Sequence, residues 1–155
     1  MFSQTTEYAL RAMAWLALSP DELVPTGAIA ERTLVPEHYL AKVLQSLAAA
    51  NLIKGRRGVG GGYRLARRAE DITLLDVVRS VMVVERITTC PLGLPNHGPN
   101  LCPLHRAVDD AAKAIIDIFG ERTLRDLVAA PQQNKPLCNS QITASLTVSA
   151  IGRAK

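Results

Sequence analysis

A mainly α fold is predicted, in which a helical domain carries one two-stranded hairpin and continues into a long C-terminal helix. Three observations predict it. Apolar residues recur at helical spacing in several separate segments. A single glycine cluster is flanked by two short strand-like runs. Aromatics make up only 4% of the 155 residues while 48% are hydrophobic, so the core must be built from Ala, Leu, Val and Ile, which suits packed helices.

The elements follow in order. Residues 3–18 form a first helix, with Ala9, Met13 and Leu16 on one stripe and Leu10, Ala14 and Ala17 on another, ended by Pro20. Thr26 is the expected N-cap of a short second helix that turns Ile29, Ala30 and Thr33 inward. Leu34 and Val35 make a tight turn, and Pro36 opens a third helix at its first position, where the missing N–H costs nothing. That helix runs from Glu37 to about Ala50, buries Leu40, Val43, Leu44 and Leu47, shows His38, Tyr39, Lys42, Gln45 and Ser46, and stops at Asn51. Strands are expected at 52–54 and 63–65 around Gly58-Val59-Gly60-Gly61-Gly62. A fourth helix spans Thr73 to Met82, with Thr73 and Asp76 spaced for a capping arrangement. After an irregular loop a long helix runs from Pro103 to Phe119 and ends at Gly120, and a last one covers Thr123 to Ala129. The stripe of Leu104, Val108, Ala111, Ile115, Ile118 and Phe119 on the long helix suits packing against a second copy of the chain.

The net charge of +4 is modest but uneven. Lys54, Arg56, Arg57, Arg64, Arg67 and Arg68 lie in one fifteen-residue segment without an acidic residue. A concentrated basic strip points to a polyanion. No apolar run approaches the roughly 20 residues of a membrane span, and no basic, then apolar leader opens the chain, so a cytoplasmic location without a membrane is expected. The glycine cluster does not match the spacing of a dinucleotide loop, and a strand rather than a helix follows it. Two short helices, a three-residue turn and a basic hairpin directly behind them together make a winged helix-turn-helix with a two-stranded wing.

Thr6-Glu7-Tyr8-Ala9-Leu10-Arg11, the stretch from Ala28 to Leu47, and Arg57-Gly58-Val59-Gly60-Gly61-Gly62-Tyr63-Arg64-Leu65 carry a resemblance. Over residues 1 to about 130 the chain resembles the bacterial regulator family of the iron–sulfur cluster regulator IscR, the nitric-oxide sensor NsrR and the cysteine-metabolism repressor CymR. The resemblance implies a homodimer that binds a palindromic operator in double-stranded DNA. Third helices would enter major grooves and wings would lie on neighbouring minor grooves. It assigns DNA contacts to Thr26, His38, Tyr39 and Lys42 and, in the wing, to Arg57, Gly60, Gly61 and Arg64. Ala41 stands where the iron–sulfur regulator has a glutamate, which implies a different operator preference. The expected organisation is a DNA-binding domain at 1–82, a cysteine loop and dimerisation helix at 83–130, and a flexible tail at 131–155.

Cys90 and Cys102 are separated by eleven residues, and His105 follows after two more. Soft thiolates and an imidazole suit a [2Fe–2S] cluster or zinc. Cys102 precedes Pro103 at a predicted helix N-terminus, where the helix dipole favours a negatively charged ligand. Cluster-binding members of the family commonly have three cysteines here, and the middle position falls on Asn96. The resemblance offers Glu7 from the partner subunit, or His97, as the remaining ligand. Three outcomes stay open: a cluster, zinc or a thiol switch, and no metal. Cys138 reads as an incidental thiol. The reading is a transcriptional regulator, a repressor, whose operator binding responds to a cluster or to a redox or nitric-oxide signal. Its alternative is a regulator of the same fold governed by a small ligand, zinc or thiol chemistry, or a protein partner. No nucleophile, base and acid grouping points to an enzyme.

Overall fold

The computed structural model describes residues 2–93, 100–129 and Leu137. His97, Asn96, Cys138 and all of the expected tail except Leu137 therefore lie outside the described residues. Helix α1 (Gln4–Leu18) starts at Ser3, whose side chain accepts the Thr6 N–H at 3.2 Å. It buries Ala9, Ala12, Met13 and Leu16 completely and packs against four other helices. Helices α2 (Thr26–Thr33) and α3 (Glu37–Ala49) meet it at the turn 34–36, where Leu34 takes a left-handed conformation at φ 54°. The four residues expected on the inner face of α3 are its four buried residues, Leu40, Val43, Leu44 and Leu47. Asn51, at φ 56°, ends α3 in the left-handed geometry that asparagine tolerates.

Two helix starts differ from expectation. Pro36 has ψ 131°, so it is the N-cap of α3 and not its first helical residue. Pro25, at φ −61° and ψ 146°, takes the cap of α2, which leaves Thr26 inside the first turn. In both cases the proline ring fixes φ at a value shared by helix and extended chain, and ψ alone decides on which side of the boundary the residue falls.

Strands β1 (Ile53–Arg56) and β2 (Gly62–Leu65) form the antiparallel wing, reaching two residues further towards the turn than expected on the first side and one on the second. In its register Ile53 faces Leu65, Lys54 faces Arg64 and Gly55 faces Tyr63. Ile53 and Leu65 are buried, so the opposite face carries Lys54, Arg56 and Arg64. A further bridge joins Val24, ahead of α2, to Tyr63, with both backbone bonds at 2.9 Å. It anchors the wing to the helix-turn-helix, and nothing in the local pattern around Val24 announces it.

Behind the wing come a 3-10 turn (Ala69–Asp71) and helix α4 (Leu74–Arg79), shorter than expected because Ser80 caps it. The capping box of Thr73 and Asp76 is formed in both directions at 3.1 Å. Helix α5 (Pro103–Gly120) is followed by α6 (Leu124–Val128). Gly120 is the last residue of α5 and does not break it. The chain leaves through Glu121 in right-handed geometry, because a bridge between Thr73 and Thr123 takes over the direction. Leu74 N–H donates to Arg122 C=O at 2.8 Å and Leu124 N–H to Ile72 C=O at 2.9 Å, tying α6 to the start of α4. Among the described residues no helix is long and apolar enough to cross a membrane.

Leu44 is fully buried and Lys42, two positions earlier, is exposed. Leu44→Ala should cost about 2–5 kcal/mol of folding free energy. Lys42→Ala should stay within about 0.5 kcal/mol of the parent. Urea unfolding of both variants checks the orientation of α3, and equal losses would contradict it.

Candidate nucleic-acid interface and cysteine cluster

The exposed face of α3 begins at its first turn. His38 and Tyr39 stand with ring centroids 4.5 Å apart, and Tyr39 lies 6.3 Å from Tyr8 of α1. Tyr39 is half exposed, and Lys42 sits one turn further along the same face. This is the end of the helix that reads base edges when such a motif enters a major groove. Arg11 steadies the neighbouring surface, since its guanidinium bonds Glu7 at 3.0 Å and the Thr33 carbonyl at 3.4 Å.

The wing is held open by its own backbone. The Gly61 N–H donates to the Gly58 carbonyl at 2.9 Å, which closes a tight turn with Val59 and Gly60 at its centre. Gly60 has φ 68°, the left-handed geometry that glycine adopts without strain. A Cβ on Gly61 would lie 2.3 Å from the Arg56 carbonyl oxygen, so no side chain fits there. The Arg56 guanidinium donates to Gly60 C=O at 2.9 Å and braces the turn. Val59 is completely exposed at the tip. Thr26, Arg57 and Gly61 share one cleft of about 360 Å³ between the start of α2 and the wing. The structure thus gathers the residues expected to meet DNA into two groups, one on α3 and one around this cleft. Arg64 belongs to the opposite, outward side of the hairpin with Lys54.

The cysteines converge on one ring. Cys102 is the N-cap of α5, and its Sγ lies 3.3 Å from Nδ1 of His105 in the first turn. Cys90 approaches the same nitrogen from the preceding segment at 4.0 Å. Ligands of a tetrahedral metal with bonds of 2.0–2.3 Å stand about 3.5 Å apart, so these separations are close to those of a shared ion. The donor types also suit a soft metal or cluster. Among the described residues, however, no group of three or more His, Cys, Asp or Glu side chains is placed so that it could hold a metal ion. Glu7 is engaged with Arg11 on its own helix.

Residues 2–130 match the family model of the Rrf2 iron-dependent transcriptional regulators. The chain belongs to the Rrf2 family. A protein described as an HTH-type transcriptional regulator of Aquifex aeolicus strain VF5 is 31% identical over 131 residues, covering 83% of this chain and 91% of that one. Protein aau3 of Rhizobium meliloti is 35% identical over 141 residues, covering 85% and 88%. Among solved structures, IscR of T. potens superimposes with a TM-score of 0.68 at 27% identity over 83% of this chain and 86% of that one. CymR of B. subtilis shares the fold with a TM-score of 0.68 at 24% identity, covering 84% and 98%. The expected family and winged helix-turn-helix fold are therefore established. The chain is a transcriptional regulator and not an enzyme, and regulators of this family bind DNA.

In this Rrf2 chain a second contact, beside that of Cys90 with His105, joins the cysteine segment to the long helix. Asp109, the one buried residue of α5, accepts two bonds of 2.6 Å from the Arg86 guanidinium and one of 2.9 Å from the Ile87 N–H. The side-chain bonds from Arg86 hold the Asp109 carboxyl down at about 2, against an ordinary 3.8, and the Ile87 N–H and nearby Arg106 act in the same direction. Neither residue carried a signal in the sequence, because the pair spans 23 positions. A carboxyl depressed in the folded state stabilises the fold above its ordinary range and loses that contribution as pH falls through the folded value. Asp109→Asn should therefore lower the melting temperature at neutral pH. The gap to the parent should narrow as pH falls from 3.8 to about 2, as thermal melts across that range would record.

Proposed function

We propose that this Rrf2 chain is a homodimeric repressor that reads a palindromic operator and reports the state of its cysteine cluster to that operator. The observation that carries the reading is the meeting of Cys90, Cys102 and His105 at the start of the helix that also offers an unpartnered apolar face. His38, Tyr39 and Lys42 reach base edges and phosphates in the major groove. Thr26, Arg57, Gly60 and Gly61 follow the backbone beside the wing, and Arg57 enters the minor groove. Arg64 adds charge to the hairpin. Leu104, Val108 and Ile118 are 68%, 47% and 53% exposed on α5, and a second copy of α5 covers them. The two α3 helices must then stand about one DNA turn apart.

Cys90, Cys102 and His105 would hold a [2Fe–2S] cluster, with Glu7 of the partner subunit or His97 as the remaining ligand. When bound, such a group supplies coordination that oxidants and nitric oxide attack. The chain's own part is transmission. Cys102 and His105 form the first turn of α5, and Asp109 lies one turn on, in the clasp with Arg86 and Ile87. A displacement of that first turn therefore bears on both the dimer face and the segment leading back to α4. A coupling of about 1–3 kcal/mol is enough to change occupancy by one to two orders of magnitude.

A second reading has its own support. The middle cysteine of cluster-binding relatives is Asn96 here, and the described donors number three. In that reading the regulator keeps the fold without a cluster and answers to zinc, thiol chemistry, a small ligand or a protein partner.

Anaerobic purification with iron and sulfide analysis separates the two, followed by operator binding with and without the cofactor at fixed salt. Equal iron and sulfide, and an affinity that shifts on cofactor loss and no longer shifts in Cys90→Ala and Cys102→Ala, is the expected result. A protein devoid of iron after reconstitution leaves the second reading. Lys42→Ala should weaken operator binding by about tenfold or more. Unchanged affinity in that variant would remove α3 from the interface.

A further inference from the structure

We propose that a second cleft, on the outward side of the wing, binds a small organic anion, a carboxylate or phosphate ester with a short apolar group. The cleft has a volume of about 740 Å³ and lies between the end of α1, the base of the hairpin, the 3-10 turn and α6. That is the size range of small-molecule sites. The inference is independent of the cluster and of the operator reading.

The charges are the first argument. Lys54, Arg64, Arg67, Arg68 and Arg125 line the cleft against two carboxylates, Asp21 and Glu70. Arg68 is engaged with Glu70, and Arg67 stands 3.7 Å from Asp76. Among the described residues Lys54 and Arg64 form no ion pair with a carboxylate, and Arg125 acts on Glu70 only through space, without a direct ion pair. Lys54 and Arg64 are moreover direct cross-strand neighbours in the hairpin register. Like charges so placed repel, and an anion bound between them removes the repulsion. Arg125 reaches the same space from a helix that is remote in sequence.

The floor is the second argument. Ala17 and Leu65 are buried, Val128 is partly buried, and all three face the cleft. An apolar floor under a cationic rim fits a molecule with one anionic end and one apolar end. A duplex backbone fits less well, because Asp21 and Glu70 also border the cleft and repel a line of phosphates.

The probe is phenyl phosphate, titrated into the ¹⁵N-labelled full chain. Saturable shifts of the Ala17, Arg125 and Ala129 amides are expected, with a dissociation constant of roughly 10 µM to 1 mM. Lys54→Ala and Arg125→Ala should each weaken binding by about tenfold, while Arg79→Ala, which removes the same charge outside the cleft, should not. Thermal melts and amide spectra of the variants establish that each is folded. Absence of saturable shifts overturns the proposal. So does equal weakening by Arg79→Ala, which would mark a general charge effect. Shifts of the same amides by random-sequence duplex that phenyl phosphate cannot compete away would assign the cleft to DNA and overturn it as well.

Discussion

The clasp of Asp109 with Arg86 and Ile87 is the constraint on which the second half of the molecule depends. Helix α5 is eighteen residues long and buries one of them, so the hydrophobic effect within a single chain fixes it mainly at its far end, where Phe119 packs against the core and against Phe2. Its far end is tied through the bridge of Thr73 and Thr123, but its near end, with Cys102 and His105, relies on the carboxylate. Two charge-assisted bonds from a planar guanidinium set both distance and angle, which a single apolar contact would not. The backbone N–H of Ile87 takes the second lone pair of Oδ1 and pins the segment that leads to Cys90. Position of the cysteines and direction of α5 are thus one geometric fact.

The first half is organised differently. Helix α1 is the common wall for α2, α3, α4, α6 and the hairpin, and small residues such as Ala9 and Ala12 let those elements approach it closely. The wing would be a weak appendage, since two strands alone are barely stable. Its inner face is fastened by Ile53 and Leu65 in the core and by the paired bonds of Tyr63 with Val24. That leaves its outer face free to be uniformly cationic.

Much of this was legible in the amino-acid order. Helix α3 was read residue by residue, because Leu40, Val43, Leu44 and Leu47 follow the helical period without exception. The cap of α4 was read from Thr73 and Asp76 for the same reason: both partners of the interaction are three positions apart. The boundaries at Pro25, Pro36 and Gly120 were misread, since proline and glycine permit a boundary without fixing which residue carries it. Contacts between distant segments left no trace. Val24 pairs with Tyr63, Arg86 with Asp109, and Arg125 joins Lys54 only through the fold. Of the cysteine cluster, Cys102 and His105 were legible as one helical turn, whereas Cys90 was found by its chemistry and not by its spacing.

These differences follow from what each part must do. Helix α3 is specified locally because its inner face has to be buried in a single register before its outer face can present His38, Tyr39 and Lys42. The segment of Cys90 and the near end of α5 are specified by a few long-range polar contacts, which hold geometry firmly yet depend on every partner staying in place. Loss of one bond to Asp109 releases a lever rather than dissolving a core, because the residues around α5 are largely exposed already. An apolar head around α1 and a polar clasp at Asp109 thus hold the two halves of the chain by different means, so a change at the clasp leaves the buried face of α3 intact.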